Sequence, residues 1–139
     1  MTAPRPKVSV VVPTYQRCEL LEEVVRNLLG QTLSDIEILV MDDGSTDDTS
    51  RVMRGVADAR VRYFPKGRLG VPQIVNAGLE EATGDYLIIC HDHDAYEPDM
   101  LEQFASVLDA HPTVAYVFSG LVLCAEDGET EVQRDVHDL

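Results

Sequence analysis

The apolar positions along the chain follow two alternating rhythms. Val8–Pro13 is a continuous β-branched run, which reads as a strand buried on both faces. Glu19–Leu29 then sets Leu20, Leu21, Val24, Val25, Leu28 and Leu29 on one helical stripe, and Gly30 stops it. Ile36–Met41 is a second strand run. Asp42–Asp48 is turn and cap chemistry, with Ser45 or Asp47 as the cap, and a short helix follows to Val56. Val61–Phe64 is a third strand. A loop carrying Lys66, Gly67, Arg68 and Gly70 leads to Pro72, a good first-turn residue, and the helix it opens is expected to end near Gly84. Tyr86–Cys90 is a fourth strand, and Pro98-Asp99 starts a helix running to Ala110. Val114–Ser119 and Leu121–Cys124 are expected strands, Glu126–Gly128 a turn, and the last ten residues are polar without a clear period.

Strand and helix runs that alternate this regularly predict an α/β fold. Its mostly parallel, doubly wound sheet should carry helices on both faces and right-handed connections, an α/β/α sandwich. Nothing in the chain repeats or reads as a linker, so residues 1–139 are expected to form a single domain.

Composition narrows the function. No apolar run approaches the ~20 residues that span a bilayer. The apolar run at the N-terminus stops at Pro13 and lacks a small-residue cleavage site. The cysteines, Cys18, Cys90 and Cys124, are odd in number and widely spaced, which disfavours a disulfide framework and points to a reducing, cytoplasmic setting. The net charge of −14 argues against nucleic acid or an anionic membrane as partner. All of it lies in residues 69–139, where fifteen acids face the single base Arg134; residues 1–68 are balanced, ten against ten. An acidic half of this kind could attract a cation or a basic partner, or simply confer solubility.

In parallel sheets, ligands bind beyond the carboxyl ends of the strands. Here those ends carry Pro13-Thr14-Tyr15-Gln16-Arg17, Asp42-Asp43-Gly44-Ser45, Pro65 to Gly70, and His91-Asp92-His93-Asp94. Carboxylates favour Mg²⁺ or Mn²⁺, and an imidazole tilts the preference toward Mn²⁺ or another transition metal. Ligands so close in sequence suit an open site completed by water and substrate phosphates. The same residues would also serve as a hydrated loop capping the next helix. A carboxylate at Asp42 or Asp43 can accept the ring N–H of a uracil- or thymine-like base. Tyr15 can lie over a flat ring, and Arg17, Lys66 and Arg68 can pair with phosphate oxygens. There is no Gly-x-Gly-x-x-Gly after the first strand and no Walker-type Gly-Lys-Ser/Thr, which disfavours a dinucleotide oxidoreductase or a P-loop enzyme.

The order of these pieces is more informative than any one of them. Val8–Pro13 with Thr14 to Arg17, Gln31-Thr32, Ile36–Val40 with Met41 to Asp47, Asn76-Ala77-Gly78, Gly84-Asp85-Tyr86, and an acidic cluster four residues before Pro98 resemble the family 2 glycosyltransferases. The resemblance covers nearly the whole chain. It implies the GT-A type of nucleotide-sugar-binding fold, a UDP- or dTDP-type sugar donor, a divalent cation (Mn²⁺ or Mg²⁺), and transfer to an acceptor hydroxyl with inversion. By that resemblance Pro13 and Tyr15 frame the base, Asp43 bonds it, and Thr14, Arg17 and Arg68 lie along the nucleotide. Asp92 meets the ribose or metal-bound water, and His93 and Asp94 fall on the metal motif.

Three departures stand out. The metal motif reads His-Asp-His-Asp where successive aspartates are usual, Val75 precedes Asn76 where many members carry Arg, and nothing after Ala110 matches the family's later motif. The chain therefore reads as the donor-binding half of a longer enzyme, or as a natural short form. Two other classes fit the residues: a non-catalytic module of the same fold that docks a basic partner, and a nucleotidyltransferase on a related sheet.

Overall fold

A computed structural model of the chain describes residues 5–124 and 130–133. Residues up to Ala105 form one compact unit, and those from Ser106 a second. In the first, β1 (Val8–Thr14), α1 (Cys18–Leu29), β2 (Ile36–Asp42), α2 (Thr49–Gly55), β3 (Val61–Pro65), α3 (Val71–Glu81) and β4 (Tyr86–Ile89) follow in order. Helix α4 (Met100–Ala110) begins there. The four strands form one parallel sheet in the order β3-β2-β1-β4. After β3 the chain crosses back to the far side of β1. The switch point of the sheet, where such folds open a crevice, therefore lies between the carboxyl ends of β1 and β4.

β1 and β2 are buried on both faces, in keeping with their largely apolar runs. Val8, Val10 and Val12 of β1 and Ile36, Ile38 and Val40 of β2 face one way. Leu21, Val24, Val25 and Leu28 of α1, Met53 of α2, and Leu101 and Ala105 of α4 cover them. Val11, Leu39 and Met41 face the other way, under Ile74 of α3. The doubly wound sandwich expected from the sequence is thus present, with α3 packed on the second face.

At the amino end of the sheet the core turns polar. Buried Ser9 donates its hydroxyl to Glu37 Oε1 at 2.6 Å. The Thr83 N–H also donates to Glu37 Oε1 at 2.7 Å, and the Gly84 N–H donates to Ser9 Oγ at 2.8 Å. These bonds divert the backbone that would extend α3, so the helix ends at Glu81 rather than near Gly84. Burial pushes the Glu37 carboxyl up, but bonds from Ser9, Thr83 and Arg62 outweigh it and hold the group below the usual range.

In the second unit β5 (Leu121–Cys124) pairs antiparallel with β6 (Thr130–Gln133). β5 was expected; β6 lies in the stretch whose sequence has no period. The turn expected at Glu126–Gly128 lies outside the described residues. Val114–Ser119 is not a strand. Its apolar, β-prone run suggests a strand, but a strand also needs a ladder, and β5 takes β6 as its partner. Tyr116 and Phe118 in this stretch are exposed, with ring centroids 6.4 Å apart.

The close approach of α3 to the sheet depends on Gly78. A methyl group there would overlap Val11 Cγ1 and come within 3.1 Å of Met41 Cγ, both in the core. Alanine gains up to about 1 kcal/mol of helix propensity, while overpacking costs about 1–3 kcal/mol. Gly78→Ala is therefore expected to lower stability, read as a lower urea midpoint with an unchanged slope.

Candidate functional site

The rim is built on the turn between β1 and α1. Gln16 sits there with φ 55°, a left-handed conformation that is strained for a non-glycine residue. Four hydrogen bonds hold it. Its N–H donates to Ser45 Oγ at 2.9 Å, and its side-chain amide donates to Thr46 Oγ1 at 2.8 Å. Its Oε1 accepts the Thr46 and Asp47 N–H groups, each at 3.0 Å. Asp47 reaches back, accepting the Cys18 N–H at 3.1 Å and the Thr49 N–H at 3.1 Å, so one carboxylate serves the first turns of α1 and α2. Thus the turns after β1 and β2 are fastened into one surface.

The tandem aspartates divide their tasks. Asp42 is buried; it accepts the Ser45 N–H at 2.8 Å and the Tyr63 hydroxyl at 2.5 Å. Burial, reinforced by that bond, pushes the Tyr63 phenol up to about 12. Asp43 points to the loop after β3. Its Oδ1 accepts the N–H groups of Leu69 at 2.6 Å and Gly70 at 3.0 Å, and Arg68 Nη1 lies 3.2 Å from Oδ2. Gly44, at φ +82°, lets this loop pass close: a Cβ there would stand 3.2 Å from Arg68 N. The Arg68 guanidinium lies over Tyr15, Cζ 3.5 Å from the ring centroid.

The other half of the rim forms at the switch point. Asp92, only 5% exposed, follows β4 and accepts the Thr14 hydroxyl at 2.8 Å and Arg17 Nη1 at 3.1 Å. His93 Nδ1 stands 2.8 Å from the same Arg17 nitrogen and 3.0 Å from Asp92 Oδ1. Burial pushes the Asp92 carboxyl up, but its bonds to His93, Thr14 and Arg17 win and hold it below its usual value. His93 and Asp94 open onto a cleft lined by Leu20, Glu23, Val24 and Asn27 of α1 and by Ala95.

Eight of the nine residues singled out by sequence fall into two linked clusters. Arg68 touches both Tyr15 and Asp43, and Asp92 touches Thr14, Arg17 and His93; Asp94 adjoins the second through His93, with Nε2 and Oδ1 3.9 Å apart. Residues 14–17 belong to both. Pro13 lies in β1 opposite Met41. Lys66, the other base of the third loop, sits over Phe64 instead, its Nζ 5.6 Å from the ring centroid.

Sequence reasoning gave no role to Gln16 or Asn27. Asn27 accepts the Tyr96 N–H and donates to the Tyr96 carbonyl, each at 3.0 Å. One turn on, Gln31 donates to the Glu97 carbonyl at 2.7 Å and accepts the Leu101 N–H at 3.1 Å. Together they clamp the segment after the acidic loop to α1. The available signal was their spacing, polar residues four apart at the edge of an apolar stripe.

The family described as Glycosyl transferase family 2 matches residues 9–135. A β-1,3-glucosyltransferase of Campylobacter jejuni, named for GalNAc(5)-diNAcBac-PP-undecaprenol, is 34% identical over 124 residues, 85% of this chain and 39% of that protein. Glycosyltransferase GlyG of Streptococcus pneumoniae is 37% identical over 98 residues, 68% of this chain and 33% of its own. Among solved structures, a Pyrobaculum calidifontis mannosyltransferase in complex with GDP-Man and Mn²⁺ matches 80% of this chain and 34% of its own. The identity is 31% and the TM-score 0.71. Staphylococcus aureus TarS 1-349 in complex with UDP-GlcNAc matches 76% and 32%, at 26% identity and TM-score 0.67. The chain thus spans well under half the length of these relatives.

Asp92 gives a test by pH. Its folded-state pKa is held below the ordinary carboxylate value of about 3.9. The stability it contributes is therefore full above that value and lost as pH falls through the folded one. Asp92→Asn is expected to cost about 1–3 kcal/mol near neutrality. That difference from wild type should shrink in urea unfolding as pH falls below about 3.9.

Proposed function

The chain belongs to glycosyl transferase family 2, and on that premise we propose that it forms the donor-binding portion of an inverting glycosyltransferase. The donor is a nucleoside-diphospho-sugar of UDP or dTDP type, the cation Mn²⁺ or Mg²⁺, and the acceptor group a hydroxyl. One observation carries the reading: residues 14–17 join an aromatic-carboxylate pair and an imidazole-carboxylate pair along one rim at the switch point. A base needs the first and a diphosphate the second. The GDP-Man/Mn²⁺ and UDP-GlcNAc complexes of the structural relatives support a nucleotide-sugar donor.

Pro13 and Tyr15 frame the base, and Asp43 accepts an N–H from its edge. Asp43 Oδ1 accepts the Leu69 and Gly70 amides at 2.6 and 3.0 Å, whereas Oδ2 meets the Gly70 N–H and Arg68 Nη1 only at 3.2 Å each, so Oδ2 is the oxygen it offers. Because the same carboxylate shapes the loop and meets the ring, the base is read by a group whose position is fixed beforehand. Arg17 supplies positive charge beside the diphosphate, held in place by Asp92. Thr14 and Asp92 keep the ends of β1 and β4 at a set separation, with Asp92 next to the ribose.

The donor set at the acidic loop fits a divalent ion. His93 Nε2 and Asp94 Oδ1, 3.9 Å apart, are within reach of one ion at bonds of about 2.1 Å. No group of three His, Cys, Asp or Glu side chains stands ready for a metal among the described residues. The pair therefore suits an open site that substrate phosphates and water complete. When bound, the cation neutralises charge that gathers on the departing nucleoside diphosphate. Coordination through Nε2 requires the His93 proton on Nδ1, donated to Asp92 Oδ1. A guanidinium only donates, so Arg17 must then release Nδ1.

Titration calorimetry of UDP, dTDP and GDP in the presence of Mn²⁺ tests the reading. Binding is expected for UDP or dTDP, with Asp43→Ala and Asp94→Ala each weakening it about tenfold or more. No metal-dependent binding at millimolar nucleotide would sink the proposal. A second expectation concerns the metal alone. The electron paramagnetic resonance signal of free Mn²⁺ should fall on adding protein and UDP, and His93→Ala should reverse most of that fall.

A further inference from the structure

One face of Tyr15 is already covered. One guanidinium, that of Arg68, engages both groups that the donor-site reading assigns to the base: the aromatic ring, 3.5 Å from Cζ to centroid, and the Asp43 carboxylate, 3.2 Å from Nη1. A guanidinium is flat and carries its N–H donors in its own plane. A uracil-like ring stacked on Tyr15, with its N–H toward Asp43, has that same form. The two cannot occupy the slot together.

We infer that Arg68 fills the base slot of the empty protein and yields it efficiently only to a nucleotide that carries phosphate, so that this residue selects nucleoside diphosphates against nucleosides. The inference rests on the donor-site reading above. The backbone of the loop need not move in the exchange. Leu69 and Gly70 stay bonded to Asp43 Oδ1, and Gly44 keeps the loop packed close beneath them. Only the Arg68 side chain, 59% exposed, has to swing. In leaving, it gives up a cation–π contact and a charge-assisted hydrogen bond. A nucleoside offers the displaced cation nothing in return. A diphosphate offers oxygens that pair with a guanidinium. The loss is therefore recovered with UDP and not with uridine.

Chemical-shift titrations of wild type, Arg68→Ala and Arg68→Lys with uridine and with UDP plus Mn²⁺ decide the matter. In Arg68→Ala, uridine is expected to bind about fivefold more tightly, while UDP binds no more tightly than to wild type. Arg68→Lys removes the planar stack and keeps the charge. It should match the alanine variant for uridine and bind UDP at least as well as wild type. A ligand-free readout accompanies this: the ring resonances of ¹³C-labelled Tyr15, assigned through Tyr15→Phe, should shift in both Arg68 variants. Unchanged or weaker uridine binding in Arg68→Ala, with UDP still bound by wild type, would overturn the exchange alone. Absence of UDP binding in wild type would overturn the donor-site reading and the exchange with it.

Discussion

The buried carboxylate of Asp92 is the contact from which the rim is organised. It lies at the point where the sheet reverses its strand order, out of water and charged. A carboxylate there is costly unless its oxygens are bonded. Thr14 from β1 and Arg17 from the following turn supply those bonds, and His93 adjoins them. Satisfying one charge therefore fixes the end of β1 against the end of β4 and orients a guanidinium and an imidazole at the same place. The strained Gln16 lies inside this stretch, and its four bonds to Ser45, Thr46 and Asp47 carry the constraint across to β2. Strain at a single backbone position is tolerable because partners on a neighbouring turn over-determine it.

The fold was legible because burial writes a strong signal. β1 and β2 lie in the middle of the sheet, so both their faces are apolar, interrupted only near their amino ends by Ser9 and Glu37. The α1 stripe was clear for a related reason: its buried Leu21, Val24, Val25 and Leu28 recur at helical spacing. Legibility failed where a partner, rather than a pattern, decides the outcome. Val114–Ser119 has the composition of a strand, but composition cannot say what a ladder would pair with. Thr130–Gln133 has no period and is nonetheless a strand, because β5 pairs with it. The buried Ser9–Glu37 pair was invisible for the opposite reason. A serine and a glutamate interrupting two apolar runs become core residues only when Thr83 and Gly84 arrive from elsewhere in the chain to bond them.

The site shows the same division. Types and order of residues at the strand ends were readable, since a carboxyl end in a parallel sheet has to open on the rim. Which oxygen does what was not. Sequence treats Asp42 and Asp43 as equivalent, yet strand pleating sends successive side chains opposite ways. Asp42 is consumed by Ser45 and Tyr63, while Asp43 reaches the loop after β3. Asn27 and Gln31 were unreadable as site residues because they touch only main chain. Their work is to hold the segment beginning at Tyr96, and so to set where the acidic loop ends.

The two clusters are alike in one respect that bears on the proposed donor site: in each, a half-exposed arginine pairs with a buried carboxylate. Arg68 covers Tyr15 and touches Asp43; Arg17 lies against His93 Nδ1. A guanidinium held by partial partners in the empty protein is a charge kept ready without an exposed, unpaired carboxylate beside it. Both cations sit on side chains about half exposed, whereas both carboxylates they meet are buried. The mobile member of each pair is thus the arginine and the fixed member the acid. On the proposed donor reading, an arriving diphosphate would compete for the arginines with better geometry than a single carboxylate oxygen offers. The acids stay where backbone amides and hydroxyls hold them. On this arrangement the rim does not have to assemble around a ligand. It has to exchange the partners of two side chains, and the positions that read the ligand are already set when it arrives.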